Sequence, residues 1–546
     1  MPKKPRKKST SKKHTLKKHT LKKTTKKVTA KKKGTKKLSP KKVAPKRASK
    51  RAVPKAAAAG KARLLANLTE ADLIQMKARA LADPRTAGMF SFLNSYLQAS
   101  EYQVIEMMVN AKVWSGPVPP NPGGNGEAQF GTLDYDLNNP GSSVVLQDLA
   151  RVWKFVVGSL PVTQISATNY ANLQAAMAPG KPGLVAADGT WFSKSKYGTG
   201  DPGWLEFPIE YFYHYFGGNF ASFPVKSQIV TLKGALPSQV TIALFGDWGT
   251  GNYPNGPAAS VMNAIVAQKP DYIIHLGDVY YSGTPTEENN NLLGLWPAAY
   301  SGKSFTLNSN HEMYNGGFGY FGVLTSSIFR LQNQVSYFAL QYGNPTQPGG
   351  PWTIIGLDSA YWSTSPFVTD GSIQEANGGP GSTAQPQFLG SLARGGLSPR
   401  NTIVLTHHNP IDTFGASLVT DALGNNLWAQ VTATGALNGT PAAWYWGHVH
   451  NGIVYPNPTY PKNNVYGRCV GHGALPYGNA WGLASAPPTQ VQAYANTPNP
   501  KMPPWVMNGF VMLTITQSGQ ITEAFYQQDG TPAPWAKPNP FTYRLG

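Results

Sequence analysis

Two apolar runs, each ending in Gly-Asp, constrain the fold of this chain most. Val240-Thr241-Ile242-Ala243-Leu244-Phe245 runs into Gly246-Asp247-Trp248-Gly249, and Tyr272-Ile273-Ile274-His275-Leu276 runs into Gly277-Asp278. Short apolar runs bounded by glycine read as buried strands. A helical pattern lies between them, from about Ala258 to Gln268. Strand, helix, strand predicts a parallel α/β unit, and such sheets bind ligands at the C-terminal ends of their strands. Both aspartates therefore belong at one mouth of the sheet.

Composition divides the chain near residue 63. Residues 1–63 hold 27 of the 48 Lys and Arg, no Asp or Glu and no aromatic residue. Residues 64–546 hold 21 basic against 26 acidic residues, a net of −5, so the overall +22 belongs to the tail. A segment this charged and this poor in apolar side chains cannot offset its chain entropy by burial, and it reads as disordered. Lysine-rich runs bind polyanions by counterion release, which suits nucleic acid or another polyanion. The lack of aromatic residues gives no platform for base stacking. The alternative is a solvated, solubilising extension. No run of 18 apolar residues is present, so no membrane span is expected. The N-terminus has no apolar core of a secretory signal. The single Cys469 excludes an internal disulfide. These features favour an intracellular, nucleoid- or nucleus-associated location.

The rest of the chain divides into a helical segment over 64–115, a mixed region over 125–225 and a domain over 226–546 that holds both Gly-Asp runs. A Pro/Gly-rich linker, Gly116 to Gly124, separates the first two. The mixed region has a helical pattern near 144–157 and short aromatic-rich stretches, such as Trp204 to Phe216, that read as strands. No chemistry is assigned to it. Near the C-terminus, Gly509 to Thr516 and Gln520 to Tyr526 flank Ser518-Gly519 as a hairpin.

Five short segments carry the chemistry. They are Gly246-Asp247-Trp248-Gly249, Gly277-Asp278-Val279-Tyr280-Tyr281, Ser309-Asn310-His311-Glu312, Val404-Leu405-Thr406-His407 and Gly447-His448-Val449-His450. Two acids, an amide and three histidines suit borderline-hard metal ions. Two such ions a few ångströms apart form a clamp for in-line displacement at phosphorus. His448 and His450, at i and i+2 of an extended chain, face the same way and can serve one ion each. His311, beside Asn310, is free to protonate a leaving oxygen.

The set resembles the calcineurin-like metallophosphoesterase superfamily and, within it, the purple acid phosphatases. Many metallophosphoesterases carry a His two residues after the first Asp; here that residue is Gly249. Purple acid phosphatases instead carry a Tyr three residues after the second Asp; here that residue is Tyr281. The first segment is similar to that of the small, tartrate-resistant type. The resemblance covers roughly residues 240–480 and implies a β-sandwich flanked by helices. It implies that Asp247, Tyr281 and His450 bind a first metal, typically ferric iron, and that Asp278 bridges. Asn310, His407 and His448 would bind a second metal, typically iron, zinc or manganese, with His311 as the general acid. The family's third segment usually begins with Gly, whereas this chain has Ser309, whose side chain could narrow the approach or donate to phosphate. His408 and His472 are the candidates for a substrate-contacting histidine.

The reaction implied is hydrolysis of phosphate monoesters, as in acid phosphatases. One alternative is a phosphodiesterase or nuclease on the same site, brought to nucleic acid by the tail. Another is a non-enzymatic polyanion-binding protein. Other residues read as structural: His275 within a buried strand, Asp358 at a turn or supporting a ligand from behind, and Cys469 as a small buried residue. Asn315-Gly316-Gly317 reads as a loop, with a substrate lid as its functional alternative.

Overall fold

The computed structural model describes residues 218–232 and 238–545, apart from gaps at 254, 344–351, 364–369, 376–380, 421–423, 458–463, 476–479 and 502–504. It also describes Tyr197, Glu210, Tyr211, His214, Tyr215 and the strands β1 (Thr132–Asp134) and β2 (Val162–Gln164). The tail over 1–63 and the helical segment over 64–115 lie outside the described residues, as does the helix expected near 144–157.

Within the mixed region, β1 and β2 pair in parallel. The described residues of the expected Trp204 to Phe216 strand are helical instead. The reason lies in i, i+4 pairing, which only a helix brings into register. Glu210 meets His214 at 3.4 Å, and the Tyr211 and Tyr215 rings stack with centroids 5.0 Å apart.

Two sheets form the body. The remaining strands are β3 (Gln228–Thr231), β4 (Gln239–Phe245), β5 (Tyr272–His275), β6 (Ser304–Thr306), β7 (Phe338–Tyr342), β8 (Trp352–Gly356), β9 (Thr402–Thr406), β10 (Ala443–Trp446), β11 (Gly452–Val454), β12 (Tyr466–Val470), β13 (Ala493–Tyr494), β14 (Gly509–Thr516), β15 (Gln520–Gln527) and β16 (Phe541–Arg544). One sheet has the order β13-β11-β12-β10-β9-β8-β7-β3 and the other β16-β15-β14-β4-β5-β6. Strands β4, β5 and β6 run parallel to one another, as do β8, β9 and β10. The expected hairpin is β14–β15, antiparallel.

Alternation along β4 explains the layering, since side chains at i and i+2 share a face. Val240, Ile242 and Leu244 enter the core between the sheets with Leu340, Ile354, Leu405 and Leu513. Ala243 and Phe245 face outward and pack on α1 (Ala258–Ala267) through Val261 and Ile265. The outer face of the larger sheet, including Ile355, Val404 and Trp444, packs on α4 (Ala384–Arg394) and α5 (Leu427–Thr432). Two short helices, α2 (Asn310–Tyr314) and α3 (Phe318–Val323), follow β6. The result is an α/β sandwich of two mixed sheets with helices outside both, as expected.

Candidate metal centre

The functional segments meet where parallel strands of both sheets end. Asp247 follows β4, Asp278 follows β5 and Asn310 opens α2 after β6. His407 follows β9, and His448 and His450 follow β10. Asp247, Asp278, His448 and His450 all adopt positive φ, at 58°, 79°, 67° and 49°. Non-glycine residues in that region cost on the order of 1 kcal/mol each and cluster at functional sites. The turns are tight enough to need glycine beside them: a Cβ on Gly447 or Gly471 would lie 2.6 or 2.7 Å from Asp247 Oδ2.

Donor atoms gather at two poles. At the first, His450 Nε2 lies 3.3 Å from Asp247 Oδ1 and 3.6 Å from Asp278 Oδ2. The tyrosine at this pole is Tyr280, not the expected Tyr281. The Tyr280 hydroxyl is 2.8 Å from Asp278 Oδ2, 3.1 Å from His450 Nε2 and 3.4 Å from Asp247 Oδ1. The Tyr281 ring packs on Tyr197, with centroids 4.7 Å apart, within an apolar cluster that includes Leu475. The turn after β5 thus presents the second residue past Asp278, where the motif offset points to the third.

At the second pole, His407 Nε2 lies 2.8 Å from Asn310 Oδ1 and 3.2 Å from Asp278 Oδ1. His448 Nδ1 lies 3.2 Å from the same Asn310 oxygen. Asp278 therefore turns Oδ2 to the first pole and Oδ1 to the second. Neighbouring backbone groups fix the donors: the His448 N–H donates to Asp247 Oδ2 at 2.9 Å, and His407 Nδ1 lies 2.9 Å from the Leu276 carbonyl.

Charge at the centre fits cations. Asp247 and Asp278 are fully buried, and their partners among the ion pairs of the described residues are histidines. Burial, then the Asp278 charge, pushes the Asp247 carboxyl well above its usual range. Burial drives His448 well below the usual imidazole value and His407 down to about 4, so both present neutral rings. Neutral imidazoles and carboxylate or amide oxygens are metal donors. Three triads have ligand atoms close enough to hold an ion: Asp278-His311-His450, Asp247-Asp278-His407 and His407-His408-His448.

His311 Nδ1 sits 2.6 Å from the Tyr281 carbonyl, which fixes a proton on that nitrogen. Its Nε2 faces the site, 3.9 Å from Asp278 Oδ2. Ser309 is occupied within the protein. Its hydroxyl is shared between the Asp278 and Glu312 carboxyls, and it accepts from the His311 N–H at 3.1 Å as the N-cap of α2. Glu312 also accepts the Asp278 N–H at 3.2 Å. Burial, then the Asp278 charge, pushes Glu312 well above the usual range. Tyr280 and Glu312 are the site residues that motif matching passed over. Ser309-Asn310-His311-Glu312 has capping-box spacing, a signal that points to Glu312.

The two remaining histidines differ. His408 is buried, with Nδ1 3.0 Å from Ser359 Oγ and its ring 4.8 Å from that of His448, so it lies beside the second pole. His472 is enclosed instead by Gly452, Gly509 and Trp535. Gly471 takes the place beside Asp247, where a Cβ would lie 2.7 Å from its Oδ2. His275 lies in β5 with Nδ1 3.1 Å from Thr306 Oγ1. Asp358 closes a turn by accepting the N–H groups of Ala360 and Tyr361. Burial lifts the Cys469 thiol to about 12, far from thiolate chemistry.

Residues 240–452 match the family of calcineurin-like phosphoesterases. No curated protein matches the chain. Among solved structures, GAP50, the anchor in the inner membrane complex of Plasmodium, is similar with a TM-score of 0.38 and 13% identity. That match covers 57% of this chain and 89% of the other. The purple acid phosphatase PPD1 from yellow lupin (Lupinus luteus) seeds is similar with a TM-score of 0.36 and 16% identity, over 59% of this chain and 55% of the other.

Proposed function

We propose that the calcineurin-like phosphoesterase domain formed by residues 240–452 hydrolyses phosphate monoesters with two metal ions. One observation carries the reading: the two oxygens of Asp278 are divided between two separate donor clusters. A carboxylate so placed suits a bridge between two cations. Asp247, His450 and the Tyr280 hydroxyl would hold the first ion, and Asn310, His407 and His448 the second. Bound there, such ions supply Lewis acidity at the phosphate oxygens and a nucleophile at neutral pH.

The chain's own groups do the rest, backbone and side chain alike. His448 N–H and Ser309 Oγ orient the two aspartates toward their poles. His311 keeps its Nδ1 proton on the Tyr281 carbonyl and delivers a proton from Nε2 to the leaving oxygen. A tyrosine hydroxyl at the first pole favours ferric iron there, with Fe, Zn or Mn at the second. Burial, then Asp278, raises the Tyr280 pKa well above its usual value. With a trication held there, the Tyr280 hydroxyl would lose its proton more readily, because the ion's charge would dominate the local field.

The test is metal analysis with a phosphoester panel: a phosphomonoester, a phosphodiester, and single- and double-stranded DNA. Preference for the monoester, lost on chelation, supports the proposal. Preference for the diester or DNA would replace it with the second reading, a phosphodiesterase or nuclease, which the 27 basic residues of the 1–63 segment favour. In that case deletion of 1–63 weakens DNA binding, and affinity falls steeply with salt.

A further inference from the structure

The segment around Glu210 to Tyr215 precedes the phosphoesterase match in the chain, and its sequence suggests no chemistry. Its described residues nonetheless grip the helix that carries Asn310 and His311. That helix, α2, is only five residues long. A single turn has almost no stability of its own, so its geometry depends on what clamps its ends. Ser309 clamps the first end. At the other end, Asn315 Nδ2 donates to Glu210 Oε2 at 2.7 Å and lies 3.1 Å from His214 Nε2. The Ala221 N–H donates to the Gly316 carbonyl at 2.9 Å, and a Cβ on Gly316 would lie 2.5 Å from the Asn219 carbonyl. The Asn315-Gly316-Gly317 loop is thus packed down by Glu210 and His214 of this segment and by Asn219 and Ala221 after it, contrary to a free lid.

One ring contact extends from the segment into the site. Tyr211, 1% exposed, meets Tyr314 edge-on with centroids 5.8 Å apart and planes at 89°. Tyr314 meets His311 edge-on at 4.9 Å. The Tyr314 hydroxyl also accepts from Asn310 Nδ2 at 3.0 Å. An amide has one ligating end and one that repels a cation. By taking the NH2 end, Tyr314 leaves Oδ1 toward His407 and His448.

We propose that the Glu210–Tyr215 segment is a positioning element of the active site: Tyr211 seats Tyr314, and Tyr314 sets the Asn310 amide and the His311 ring. The proposal rests on the phosphomonoesterase reading for the role of His311, but not for the orientation of Asn310. It gives part of the region upstream of the phosphoesterase domain a task in the site.

The test uses the full chain with Tyr211→Ala, Tyr211→Phe and Tyr314→Phe. Nitrophenyl phosphate has a leaving group that needs no proton, whereas an alkyl phosphate needs one. Tyr211→Ala should lower kcat on the alkyl phosphate about tenfold more than on nitrophenyl phosphate, because the loss falls on general acid catalysis. Tyr211→Phe keeps the ring and should match the wild type on both. Tyr314→Phe should weaken Zn2+ binding, read by equilibrium dialysis, by about tenfold, the lower end for a group that orients a ligand. Equal losses on both substrates, or wild-type Zn2+ affinity in Tyr314→Phe, would overturn the proposal. If Tyr211→Ala does not fold, Tyr314→Phe decides. A wild type that turns over neither substrate sinks the phosphomonoesterase reading, and the Zn2+ affinity of Tyr314→Phe then decides the positioning claim.

Discussion

Two buried polar clusters link the same pair of sheets, and they differ in how their charge is closed. Arg468 on β12 and Glu523 on β15 form the first. The guanidinium Nε donates to both carboxylate oxygens, at 3.1 and 2.9 Å, and Nη1 donates to the Tyr455 and Gly467 carbonyls. Tyr445 donates to Glu523 and lies 2.7 Å from Tyr543. Every strong group there has a partner of opposite kind. The metal centre is built the other way. Asp247, Asp278 and Glu312 are all buried, and Asp247 and Asp278 pair with imidazoles rather than with Lys or Arg. A buried cluster that balances itself is architecture. A buried cluster with surplus acid and neutral donors is suited to a cation.

The largest effect expected from this contrast is at Asp278. Asp278→Ala removes a donor from both poles and should cut turnover by roughly a thousandfold or more while lowering metal content. Activity near wild type in that variant would break the comparison on one side.

The other side is tested at Glu523. Glu523→Ala leaves Arg468 buried and unpaired, which should destabilise the fold by about 3–5 kcal/mol. Metal content of the folded fraction should stay at the wild-type level. If Glu523→Ala instead strips metal without lowering the denaturation midpoint, the two clusters do not have the separate roles assigned to them.

How much of this was legible beforehand depended on the kind of signal. The strands around Asp247 and Asp278 announced themselves because a buried parallel strand is a continuous apolar run, and glycine marks its end. His407, His448 and His450 were legible because each sits beside a strand terminus at a fixed offset. Tyr280 was not, because an offset cannot show which of two adjacent tyrosines a turn presents. His472 is a related case: proximity along the chain does not say what a side chain packs against, and this ring meets Trp535. The Trp204 to Phe216 stretch misled because aromatic density resembles a strand, whereas the i, i+4 pairs that hold its described residues in a helical conformation become visible only in three dimensions.

A smaller effect follows from pH. Burial lowers His275 to about 3 and His472 to about 4, from an ordinary 6.5. Below pH 6.5 the unfolded chain takes up protons that the folded protein refuses, so stability is full above that value and is lost as pH falls toward the folded values. Denaturant midpoints should fall through this window by the equivalent of a few kcal/mol. His472→Gln should flatten the profile; an unchanged slope would remove His472 from the account.

The smallest contrast sets Tyr280 against Tyr281. Tyr280→Phe should abolish any tyrosinate-to-iron charge-transfer band and lower first-ion affinity by about tenfold, whereas Tyr281→Phe should keep the band. The reverse result would restore the motif offset over the observed turn.

The central claim is that Asp278 stands between two cations, and metal stoichiometry measured alongside turnover tests it most directly. The native protein should carry two ions per chain and hydrolyse a phosphomonoester. Chelation should remove both properties, and adding metal back should restore them together. A fully active protein with one ion or none per chain would contradict the account.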